Sequence, residues 1–117
     1  MPDAAIVVLA GTESPSDLGR VVNGLQTGQE FVAAGDNVEI IFDGAGTQWI
    51  PELEDESHDY HSLYAELTEH MSACHYCANA YEVANPVEES PAELLDEHEG
   101  HPSIRSLVTD GYEIITY

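Results

Sequence analysis

The chain contains no lysine. Two arginines, Arg20 and Arg105, stand against twenty-three aspartates and glutamates, and the formal net charge is −21. Two guanidinium groups cannot neutralise many phosphates, so direct nucleic-acid binding is disfavoured. Cysteine is equally scarce. Cys74 and Cys77 lie three positions apart and cannot staple distant loops, which excludes a disulfide framework. Long apolar runs are missing as well. The longest near the N-terminus, Ala4–Ala10, spans seven residues and lacks a basic flank, so it reads neither as a signal sequence nor as a membrane span. These absences predict a cytoplasmic protein that engages neither membrane nor nucleic acid.

Hydrophobic residues make up 43% of the 117 positions, enough for one domain with one core. The acids are dispersed from Asp3 to Glu113, with richer patches at Glu52–Glu56 and Glu88–Glu99. An acidic tail would gather them in one block. Dispersed acid without lysine points to halophilic adaptation, because in molar salt the screening length falls to about 3 Å and self-repulsion fades. A specific acidic interface is the competing reading.

The chain opens with "AAIVVLA", a continuous β-branched run of the kind buried on both faces of a parallel sheet. The turn "GTESPSD" follows, with Ser14 or Ser16 as helix cap. Leu18, Val21, Val22, Leu25 and Val32 recur at helical spacing until Gly35. "NVEIIFD" is the second strand, which completes a β-α-β unit. Tyr60, Leu63, Tyr64, Leu67 and Met71 predict an amphipathic helix, "SAC" a short strand, and "YCANAYEVA" a further helix. "NPVEESPAELLDEHEGHP" reads as an acidic excursion. Pro102 starts a helix with Ile104, Leu107 and Val108 as its buried stripe, and "YEIITY" closes the chain as a strand. This alternation predicts an α/β fold, a mostly parallel sheet sandwiched by helices in three layers.

Ligands in such sheets gather at the carboxyl ends of strands. Three strand-to-helix turns should meet there: Gly11–Asp17, Asp43–Trp49 and the turn holding Cys74 and Cys77. A helix start favours a thiolate, so a depressed pKa is expected for Cys74. The competing bland reading is a pair of small buried hydrophobes. A thioredoxin-type site fits poorly, since the pair follows a third strand and encloses His75 and Tyr76. A zinc site needs four ligands, and the pair supplies two. His70 and His75 are near in sequence, and His58, His61, His98 and His101 would join only through tertiary structure. No metal ligand and no cofactor is therefore assigned.

The segments "AAIVVLAGTES", "GLQTGQEFVAAGDNVEIIFDGAG", "MSACHYCANAYEV" and "SIRSLVTDGYEIITY", in this order and spacing, resemble the DsrE/DsrF-like (YchN-type) sulfur-relay family. The resemblance covers nearly the whole chain. It implies a DsrE-like α/β/α domain over residues 1–117 that assembles into trimers or hexamers. It also implies a persulfide-forming cysteine after the third main strand, matching Cys74. Cys77 matches the second cysteine found in some members. Those members commonly follow the motif with a basic "A-R-G" segment, where this chain has Ala80, Tyr81 and Glu82.

The function expected is sulfur transfer or thiol redox work, with Cys74 as nucleophile, Cys77 as resolving thiol, and a sulfur donor or acceptor protein as partner. Thr12, Trp49 and His75 are the substrate-binding candidates, while Asn79 reads as a surface residue. A non-catalytic oligomeric binding module and a zinc-stabilised domain built on Cys74 and Cys77 are the alternatives.

Overall fold

The computed structural model describes residues 1–117. Five strands form one sheet: β1 (Asp3–Val8), β2 (Asn37–Phe42), β3 (Met71–Cys74), β4 (Glu93–Leu95) and β5 (Glu113–Thr116). Their order is β4-β3-β2-β1-β5, and every pairing is parallel. The helices are α1 (Pro15–Ala33), α2 (Trp49–Glu54), α3 (His61–Ala65), α4 (His75–Ala80), α5 (Ala84–Glu89) and α6 (Ile104–Thr109). The fold is α/β with helices on both faces of the sheet, as the alternation of elements predicts.

Ala4–Val8 of β1 are all buried, so the strand lies between two layers. Ser14 caps α1 by accepting the Asp17 N–H, Pro15 occupies the first turn, and Gly35 takes the left-handed conformation just beyond the helix. One face of α1 then delivers Val21 and Leu25 onto Ile6, Val8 and Ile40 of the sheet. Trp49, Ile50 and Leu53 of α2, Tyr64 of α3, Ala78 of α4 and Val87 of α5 join the same core. Each large aliphatic side chain hidden there contributes about 1.5–3 kcal/mol. The connections β1–β2, β2–β3 and β3–β4 thus place their helices over one face.

The other face is built differently. Alternation puts Val7, Ile41, Ser72 and Glu93 in one row, paired in register across four strands. Only α6 and the segment leading into it cover this row. No residue of α6 is fully buried, and Val108 is 56% exposed. The expected buried stripe of Ile104, Leu107 and Val108 is therefore not one. The helix has six residues; Ala5, Val7 and Ile41 on this face are buried, and a polar cleft remains at its β2–β4 end.

Two further elements differ from expectation. The helix anticipated from Tyr60 to Met71 is α3 followed by a 3-10 turn at Thr68–His70, and Met71 already opens β3. The Leu67 and His70 N–H groups donate to carbonyls three residues back, which tightens the chain before it enters the sheet. The acidic excursion contains α5 and the edge strand β4, and three residues are too few for a periodicity to register.

Candidate functional site

The carboxyl edge of the sheet brings four donor groups together. Asp43 follows β2, Cys74 ends β3, Cys77 lies in α4, and His101 comes from the segment after β4. One potential ligand atom from each lies within 4.8 Å of the others. Cys74 is fully buried, whereas Asp43, Cys77 and His101 are partly exposed.

Each position has a local cause. The Asp43 N–H donates to the Val8 carbonyl at 2.9 Å, and its carboxylate accepts the Gly44 N–H at 2.8 Å. The 3-10 turn Gly44–Gln48 that follows folds back against β1. A Cβ at Gly46 would overlap the Val8 carbonyl oxygen, so only glycine permits this approach. Cys74 caps α4, its sulfur accepting the Cys77 N–H at 3.4 Å.

His101 is delivered by a tight turn. His98 and His101 exchange two backbone hydrogen bonds of 2.8 Å, and the residues between them, Glu99 and Gly100, both have positive φ. Two consecutive positive φ values mark the hairpin-type turn in which glycine is at ease and a glutamate is strained. The Tyr76 N–H donates to the Gly100 carbonyl at 2.9 Å, and the Tyr76 ring lies 4.7 Å from that of His101. The turn is thereby clamped to α4, with His101 Nδ1 3.2 Å from Cys74 Sγ.

The electrostatics correct one expectation. The Cys74 thiol is not depressed. Burial pushes it up to about 12, with the Cys77 thiol and the Asp43 carboxylate adding to the rise and the Cys77 N–H opposing it. A six-residue helix offers a small dipole, and the loss of water around a fully buried sulfur outweighs it.

The other residues singled out in the sequence lie elsewhere. His75 opens α4, half-buried, and is not among the four donors. Trp49 is a core residue whose indole N–H is shared between the Ala10 and Gly11 carbonyls at 2.9 Å. Thr12 and Trp49 line a shallow groove with Ser14, Glu52 and His58, which none of the four donors borders. Asp43 and His101 are the additions that structure makes. The signal for His101 was its place behind a glycine in "HEGH", a turn that aims the side chain.

No family model matches the chain, and no curated protein matches it. A solved structure of a conserved protein of unknown function from Bacteroides thetaiotaomicron is similar in fold, with a TM-score of 0.62. The match spans 97% of this chain and 94% of that one at 13% identity. This likeness supports the α/β architecture.

Proposed function

We propose that the protein is a metal-binding α/β domain that holds a thiophilic divalent cation, Zn²⁺ by preference, on Asp43, Cys74, Cys77 and His101. The convergence of the four donor atoms within 4.8 Å carries this reading. Zinc takes four ligands from this chemical set, at about 2.3 Å for sulfur and ~2.0–2.2 Å for nitrogen and oxygen. Two ligands at such bond lengths and tetrahedral angles stand roughly 3.5 Å apart, close to the 3.2 Å between Cys74 Sγ and His101 Nδ1. The Asp43 carboxylate and the two thiolates would outweigh the cation's two charges by one, and the clamp on Tyr76 would hold the imidazole in place. With all four positions filled by protein, the ion ties β2, β3, α4 and the β4–α6 segment together. Release of Asp43, partly exposed, would open a coordination position to a substrate.

A second reading is sulfur transfer, favoured by the placement of Cys77 beside the Cys74 sulfur. In that chemistry the Cys74 thiolate attacks the sulfane sulfur of a donor persulfide, forming Cys74–S–SH and releasing the donor thiolate. The Cys77 thiolate then attacks the Cys74 sulfur, forming a disulfide and expelling hydrosulfide. A homo-oligomer, trimeric or hexameric, belongs to this reading through the family resemblance; a salt-rich cytoplasm is supported separately by the charge of −21.

Native mass spectrometry with thiol alkylation separates the two. The metal reading expects one zinc per chain, protection of both thiols until a chelator is added, and loss of zinc in Cys77→Ala and His101→Ala. Thiols that alkylate equally with and without zinc, and a single sulfur added to Cys74 by polysulfide, would overturn it in favour of sulfur transfer.

A further inference from the structure

The second face of the sheet carries a cleft that the cysteine centre does not use. Its floor is the register row Ile41, Ser72 and Glu93, with Glu39 two residues back on β2. Leu95, Glu97 and the approach to α6 wall it, and it encloses about 400 Å³.

Two independent observations mark it. The first is uncompensated charge. Glu39, Glu93 and Glu97 line the cleft, and neither arginine does. Its one imidazole, His70, stands 3.7 Å from the Glu69 carboxylate, and no arginine lies within ion-pair distance of an acid anywhere in the molecule. Burial raises the Glu39 carboxyl above its ordinary pKa; His70 opposes the rise, and Glu93 and Glu97 add to it. The second is Ser72, only 4% exposed, whose hydroxyl has no hydrogen-bond partner. Buried hydroxyls in native interiors are nearly always satisfied, and this one stands on the cleft floor between Ile41 and Glu93.

We propose that this cleft binds an extended organic cation, an aliphatic di- or polyamine. Ammonium groups donate to the carboxylates of Glu39, Glu93 and Glu97, and Ser72 Oγ accepts a further N–H. The methylene chain lies along Ile41, Leu95 and Leu107. A compact divalent metal suits the cleft poorly, because the carboxylates do not converge: the cysteine centre is the only place where three or more ligating groups meet. The proposal stands independently of what occupies that centre.

Isothermal titration of spermidine into the full chain at fixed ionic strength tests it. The expected result is saturable one-to-one binding, weakened roughly ten-fold or more by Glu39→Gln, whose carboxylate is partly buried, and by a smaller factor by Glu93→Gln, which is exposed. Ser72→Ala lowers the affinity and at the same time raises the thermal midpoint of the free protein, because an orphan hydroxyl is gone. Glu13→Gln and Glu88→Gln, on exposed surface away from the cleft, leave the binding unchanged. Equal weakening by these control variants means general attraction to an acidic surface and overturns the proposal. So does the absence of saturable heat, full displacement by Mg²⁺ at matched ionic strength, or binding of a basic peptide where spermidine does not bind.

Discussion

The two faces of the sheet were made by the same strands and came out unlike. On one face Ile6, Val8, Ile40, Phe42 and Ala73 meet five helices and are sealed. On the other, Glu39, Ser72 and Glu93 alternate with apolar neighbours under one short helix. A parallel sheet ordinarily needs both faces covered. Here one face serves stability and the other keeps a polar, half-open cleft, so the strand pattern that secures the core also sets where it stops.

Paired truncations test this asymmetry most severely. Ile40→Ala, on the sealed face and fully buried, should cost about 2–5 kcal/mol in urea unfolding. Ile114→Ala, half-buried on the cleft face beside Ala5, should cost less than about 1 kcal/mol. Equal losses would erase the distinction. Metal comes next. Free zinc at a thousand-fold over its dissociation constant should stabilise the wild type by about 4 kcal/mol; His101→Ala should abolish the rise in Tm and Ser72→Ala should keep it. A Tm that ignores zinc in the wild type would remove the metal centre from the comparison.

Salt should act more diffusely. Arg20 and Arg105 form no ion pair, so none of the twenty-three acidic side chains has an arginine partner against the net charge of −21. The thermal midpoint should climb from dilute buffer to molar KCl as repulsion is screened. A flat or falling midpoint would dismiss salt adaptation. The smallest effect is the pH dependence of Glu39. Its folded pKa is raised, by burial first, so the folded state holds this proton more tightly than the unfolded chain. Its contribution is full below the ordinary glutamate pKa of about 4.3 and is lost as pH rises through the higher folded value. Subtracting the stability–pH curve of Glu39→Gln from that of the wild type should isolate this fall, and a difference of opposite slope would contradict it.

The first half of the fold was legible because its signals are local. Ser14, the run Ala4–Val8 and Gly35 each announce their element within a few residues. The site was half legible. Cys74 falls at a strand end, as an α/β reading requires, but its partners arrive from other connections. Asp43 depends on the pairing of β2 with β1, and His101 on an edge strand of three residues that no periodicity marks. The reversed pKa of Cys74 was hidden for the same reason: a helix start can be read from sequence, whereas burial of the sulfur and the nearness of Asp43 are products of packing.

The segment from Asp96 to Ser103 supplies His101 to the cysteine centre and Glu97, Pro102 and Ser103 to the cleft on the second face. One short length of chain therefore borders both the proposed metal centre and the proposed amine cleft. Thermodynamic reciprocity follows: whatever factor an occupant of the cleft applies to affinity at His101, an occupant at His101 returns to the cleft unchanged. The clamped turn at Glu99 and Gly100 is then the point where the two equilibria would be joined or kept apart.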